Sequence, residues 1–398
     1  MTGAADPQAA RPDGDLLVRC LDGWRRFWFE PRAMTTLGLV RIAFGLLMVG
    51  WSLSLRPDLL IFFGRDGVRP RPPSARYTWG LLHQFSSDQA VIALWAVLLV
   101  AALALTVGWH TRVAALVVFV AVLSFQRRDI FIFNSGDVVV RIEALYLALA
   151  PAGAALSLDQ RRTAGSFWDA QVRAPWGLRL LQVQLSVIYL STVHDKLTGT
   201  TWNEGTAVSY ALRLTDLRAF AVPDWLTTNA ILMNIATWGT LVLELSLGVL
   251  VWNRRLRPWV LGAGIVMHMI FVLTLAVAFF SFAMYVLYVS FVPEDTARRW
   301  VDRVRVRLAT SPAADSPPAA GALAAPNGSP QDAGRAATEE SAPAGRAGGA
   351  EEAGGAEEPE ESGRQATAGV ASGTAGHPRC AAATESPAEV PDAQPRTG

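Results

Sequence analysis

One lysine, Lys196, stands among 34 arginines in this chain of 398 residues. It lies in the densest polar cluster of an otherwise apolar region, Tyr189-Leu-Ser191-Thr192-Val-His194-Asp195-Lys196-Leu-Thr-Gly-Thr-Thr-Trp202-Asn203-Glu204-Gly205. On a helix Thr192 stands four residues and Tyr189 seven residues before Lys196, so a phenol, a hydroxyl and an amine share one stripe. Asp195 projects about 100° away and is not an automatic ion-pair partner. Arginine keeps its proton at ordinary pH, whereas an amine removed from water can give it up and serve as a general base. The same residues also suit a helix end, with the lysine snorkelling to headgroups, Trp202 as an interface anchor and Gly205 as a turn.

Other ionisable residues interrupt the apolar runs: Arg41, Asp137, Arg141, Glu143, Glu244 and His268. A charge at the centre of a bilayer-spanning helix costs about 2.5–3.5 kcal/mol on the insertion scale, so each needs a reason. Asp137 and Arg141 are four apart, share a helix face and can pair. Arg41, Arg141 and Glu244 can act as polar fasteners between helices or line a functional cavity. A neutral His268 can hydrogen-bond across helices in either case.

Several chemistries are excluded by residue arithmetic. The only lysine follows Asp195, so no phosphate-binding loop ending in Gly-Lys-Ser/Thr exists, and none of the five histidines precedes a glutamate as in the helical zinc-protease signature. Cys20 and Cys380 lie far apart in unlike regions, offering neither a disulfide framework nor a metal pair. No metal site is expected.

The elements that must position these residues read as membrane helices. Hydrophobic residues make up 51% and charged residues 17% of the chain, and the apolar share is concentrated before residue 311. Apolar runs occur at 37–55, 89–108, 113–126, 136–150, 176–196, 230–252 and 259–292. A span needs about 20 residues, so the last run fits two, near 259–277 and 279–292. The expected fold is all-α, a polytopic integral membrane bundle of about eight spans. Residues 1–15 read as a polar lead, and 16–36 as an interfacial amphipathic helix with Trp24, Phe27, Trp28 and Phe29 among arginines. The membrane domain is expected over 37–295 and a basic juxtamembrane stub over 296–308. From 309 to 398 follows an Ala/Gly/Pro/Glu-rich tail expected to be disordered, with too little apolar area to offset the ordering of its backbone. Arginine placement favours a cytoplasmic location for both ends in the plasma membrane, with the basic loop 56–88 as the discordant segment.

The pattern Lys196-Leu-x-x-x-x-Trp202-x-x-Gly205-Thr-Ala207 resembles the vitamin K-dependent gamma-carboxylase superfamily, in particular its bacterial branch of HTTM (horizontally transferred transmembrane) domain proteins. Matching motifs are Arg41-Ile-x-x-Gly45, Phe63-Gly64-x-Asp66-Gly67-Val68, Asn134-Ser-Gly136-Asp137-x-x-x-Arg141, Glu244-Leu-Ser-Leu-Gly248, Arg254-Arg255-x-Arg257-Pro258 and His268. Together they cover about 27–295. The resemblance implies carboxylase-like or quinone-dependent modification of a peptide or small substrate. Lys196 and His268 are then the catalytic pair, and Tyr189, Thr192, Trp202, Glu244 and Arg141 line the substrate or quinone pocket. A lysine in the position of Lys196 is regarded in the animal carboxylase as the base toward vitamin K hydroquinone, and reduced quinone, oxygen and CO2 are the implied reactants. Asp195 departs from the animal pattern, which has a second lysine there. Another group of this branch, similar to sporulation-delaying protein B, implies the alternative of a non-enzymatic membrane partner in maturation, export or immunity of a secreted peptide. The partners expected are the lipid bilayer and a secreted peptide substrate, not nucleic acid.

Overall fold

In the computed structural model, residues 12–69, 79–215, 220, 222–275 and 278–310 are described. Most of the expected polar lead and nearly all of the expected tail lie outside them. Sixteen helices are found among the described residues: α1 (Pro12–Phe29), α2 (Thr35–Leu55), α3 (Leu59–Phe63), α4 (Leu81–Gln84), α5 (Asp88–Val107), α6 (Thr111–Arg128), α7 (Ser135–Leu149), α8 (Leu158–Ala164), α9 (Trp176–Leu197), α10 (Thr200–Asn203), α11 (Ala207–Arg213), α12 (Asp224–Thr227), α13 (Ala230–Val249), α14 (Arg257–Thr274), α15 (Ala278–Val289) and α16 (Glu294–Thr310). Helices satisfy their own backbone hydrogen bonds, which a lipid-embedded chain must do without water.

The seven apolar runs fall on α2, α5, α6, α7, α9, α13 and, for the last, α14 with α15. Among the described residues, four helices are long and apolar enough to cross a membrane: Thr35–Leu55, Asp88–Val107, Ala230–Trp252 and Arg257–Thr274. Large apolar side chains on them point outward, including Leu46, Val100, Val242 and Val266. Such surface is stable against lipid and costly against water. The chain is therefore a helical membrane protein.

Local signals place the helix ends. Ser87 Oγ accepts the Ala90 amide at 3.2 Å to open α5, and Gly108, at φ 72°, closes it in the left-handed conformation that glycine adopts freely. Asn134 and Asp137 form a reciprocal capping box at the start of α7, the Asn134 amide donating to Asp137 Oδ2 at 2.8 Å. The helix expected over 16–36 ends earlier, at Phe29, because residues 32–33 are drawn into a two-residue antiparallel strand pair with 172–173. This pairing ties the entry to α2 to the entry to α9.

The apolar helices pack in two connected groups. One contains α2, α5, α6, α7 and α15, with α2 against α5 and α6 against α7. In the other, α13 lies between α9 and α14. Helices α9 and α15 touch, and α15 also meets α14. Small residues allow the close crossings: a β-carbon on Gly45 would come within 2.8 Å of the Thr106 backbone. Outside the bundle, Glu294 at the start of α16 reaches the start of α2, where its oxygens accept the Thr35 and Thr36 amides at 3.2 Å each. A carboxylate at a helix N-terminus satisfies orphan donors and complements the helix dipole.

Candidate functional site

The spacing of residues around Lys196 acquires a physical reading residue by residue. Lys196 occupies the last turn of α9, and its Nζ forms an ion pair with Glu244 Oε1 of α13. The Glu244 side chain is 5% exposed and that of Lys196 18%, so the pair is largely withdrawn from solvent. After α9 the chain folds back through α10, which places the Trp202 ring 4.5 Å from Lys196 Nζ in a cation–π contact. Gly205 then turns with φ 74° close against Asn234, where any β-carbon would collide with the Asn234 amide. That explains a glycine three residues after the tryptophan. Ala207 is buried and opens α11.

Lys196 and Trp202 stand at the wall of a cavity of about 700 Å³ between α11, α13 and α14. Its other walls are mostly apolar, among them Leu212, Met233, Leu243, Met267 and Phe271. Ligand pockets typically have volumes of about 300–1,000 Å³, with few polar groups that fix orientation. Here the amine supplies the one cationic group, and Glu244 Oε2 is buried without a hydrogen-bond partner.

Behind this wall a second set of polar side chains is buried. Tyr189 Oη lies 2.9 Å from His268 Nε2 and is hydrogen-bonded to Tyr288 Oη, while His268 Nδ1 is 3.3 Å from Ser281 Oγ. His268 is 1% exposed and is boxed by the rings of Phe271, Phe280, Tyr285 and Tyr288 at centroid distances of 5.5–6.0 Å. These partners satisfy both imidazole nitrogens.

The structure therefore separates the expected site residues. Lys196 and Trp202 line the cavity. Glu244 backs Lys196, and Tyr189 and His268 belong to the buried hydrogen-bonded cluster. Thr192 turns inward to its own helix, its Oγ1 donating to the Ile188 carbonyl at 2.7 Å. Arg141 belongs to a different cluster, its Nη1 donating to Gln126 Oε1 at 2.9 Å. The expected Asp137–Arg141 pair is replaced by other contacts. Asp137 caps its own helix and accepts Trp51 Nε1 at 3.0 Å, while Arg141 turns to the Gln126 amide oxygen. Tyr288 and Ser281 were not anticipated. Their signal in the sequence was a phenol and a hydroxyl within an apolar run, each of which needs a partner when buried. Among the described residues no group of three or more His, Cys, Asp or Glu could hold a metal ion.

A family model described as the HTTM domain matches residues 29–296. No curated protein matches the chain, and no solved structure does.

Proposed function

The chain belongs to the HTTM domain family, and on that premise we propose that it is a carboxylase-like, quinone-dependent modifier of a peptide or small substrate with Lys196 as its base. The observation that carries this reading is the position of Lys196, an amine at the wall of a mostly apolar cavity and paired with a buried carboxylate. Transfer of the ammonium proton to Glu244 leaves a neutral amine beside the cavity and a neutral acid behind it. The amine can then accept a proton from an acidic substrate group. Tyr189, His268, Tyr288 and Ser281 hold the neighbouring helices in register and supply polar groups near the site.

A reduced quinone fits these residues in size and polarity, with Lys196 and Trp202 as the groups that would hold it. When bound it supplies the acidic hydroxyl and the electrons by which oxygen is reduced. The apolar walls exclude water, which strengthens electrostatic interactions within. Arg141 and Thr192 stay outside this assignment because each already has another partner.

The test is reduced-quinone-dependent oxygen consumption by the full chain in lipid nanodiscs. Lys196→Ala and Lys196→Arg are each expected to lower it by about 10²–10⁴-fold, the usual contribution of a general base. Activity retained by Lys196→Arg would defeat the assignment, since a guanidinium does not release its proton.

The ion pair itself favours a second reading, in which Lys196 and Glu244 only hold α9 to α13 and the protein is a membrane partner of a secreted peptide. A wild-type protein without quinone-dependent turnover, yet required for accumulation of such a peptide, would support it.

The bundle is proposed to have eight spans in the plasma membrane with both ends cytoplasmic. Lys196 then lies at the extracytoplasmic end of its helix. Reporter fusions at 160 and 215 are expected on opposite sides of the membrane; a shared side would refute this topology.

A further inference from the structure

At the opposite end of α9 from Lys196, loops from three parts of the chain enclose a second cleft of about 790 Å³. It is lined by Arg112 at the start of α6, Arg162 on α8 and Arg173 before α9, with Asp159 as its one carboxylate. All three arginines are exposed. Asp159 does not neutralise them by contact, because its oxygens accept the His110 amide at 2.9 Å, the Thr111 amide at 2.8 Å and Thr111 Oγ1 at 2.7 Å. Burial pushes its carboxyl up, but these hydrogen bonds outweigh burial and hold it below the usual range.

The rim is preorganised. Gln171 Oε1 accepts from Arg173 Nε at 3.0 Å and Nη2 at 2.7 Å, and Gln171 is itself fixed by a 2.6 Å hydrogen bond to buried Gln160. Arg162 stands 6.0 Å from the Trp109 ring centroid. The cleft also adjoins bare hydrocarbon surface, since Val107 at the end of α5 and Val113 and Leu116 on α6 are 46%, 60% and 50% exposed. Trp176 lines the cleft and Trp109, beside Arg162, is exposed, and such rings are enriched at headgroup boundaries.

A cationic cleft beside an apolar helix face matches an amphiphile with an anionic head. We propose that this cleft binds the phosphodiester headgroup of an anionic membrane lipid, with its acyl chains along α5 and α6. Planar guanidiniums suit phosphate oxygens, and basic pockets between membrane helices attract anionic headgroups. This site is independent of the Lys196 cavity and does not depend on its function.

The test is lipid retention by the full chain in mild detergent, measured by native mass spectrometry during titration with phosphatidylglycerol or phosphatidylcholine. Phosphatidylglycerol is expected to bind about tenfold or more tightly than phosphatidylcholine, each basic residue near the surface adding to the attraction. The variant R112Q/R162Q/R173Q is expected to lose that preference, while R112K/R162K/R173K keeps most of it and shows that the fold tolerates change there. A control, R298Q/R303Q/R305Q on α16, is expected to leave it intact. The proposal is overturned if the two lipids bind alike, if the glutamine variant keeps the preference, or if the α16 control loses it equally. It is also overturned if glycerol phosphate alone competes at the lipid's own concentration, which would assign the cleft to a soluble anion.

Discussion

Lys196→Met is expected to destabilise the folded bundle by about 3–5 kcal/mol, the usual cost of removing one partner from a buried ion pair. Glu244 is the more deeply buried of the two, and its Oε2 has no hydrogen-bond partner, so loss of the ammonium strands the carboxylate. Glu244→Leu is expected to cost less, because Lys196 is more exposed and retains the Trp202 ring. The double variant Lys196→Met/Glu244→Leu is expected to recover most of the loss, since two apolar groups replace both charges at once. Equilibrium unfolding in mixed micelles measures all three. Simple additivity of the single losses would show that the pair contributes no coupling. The comparison also separates stability from chemistry: a double variant that folds well but lacks quinone-dependent turnover points to Lys196 as a participant in the reaction.

Arg41→Leu is also expected to be strongly destabilising, by about 1–3 kcal/mol for each buried carbonyl it leaves without a donor. Arg41 is wholly buried near the end of α5, and its guanidinium donates to the carbonyls of Ala152, Ala155 and Leu156 in the loop after α7. That loop is itself buried, so its carbonyls lack water, and an unpaired one is costly. Leu156 adopts φ 51°, a left-handed conformation that costs a side-chain-bearing residue roughly 1–2 kcal/mol. The hydrogen bond from Arg41 offsets this strain. Arg41→Lys is expected to rescue only part of the loss, because a single ammonium cannot present the two separated amino groups that meet these carbonyls. Full rescue by lysine, read as an unchanged unfolding midpoint, would mean that charge alone matters at this position.

The two buried cations illustrate what could be read in advance. Arg41 interrupts an apolar run, where burying its charge demands a reason, whereas Lys196 in its polar cluster reads either as a base or as a lysine snorkelling from a helix end. For Arg41 the partners are backbone carbonyls more than a hundred residues away, which carry no side-chain signature. For Lys196 the adjacent Asp195 projects away on the helix and is exposed, and the partner is Glu244 across a helix interface. Helical periodicity puts Tyr189, Thr192 and Lys196 on one stripe, whereas their contacts lead to a buried aromatic cluster, to the helix's own backbone and to the cavity wall respectively.

Composition and periodicity alone determined the helical membrane character and the positions of the apolar runs. These depend on transfer of each segment out of water and on backbone hydrogen bonds closed within it, both local quantities. Only the tertiary structure decided that Lys196 meets Glu244 and Trp202 beside an apolar cavity, that Arg141 belongs with Gln126, and that Arg112, Arg162 and Arg173 converge on one cleft. Those outcomes depend on which helix faces meet, and that is set by packing among all the helices together.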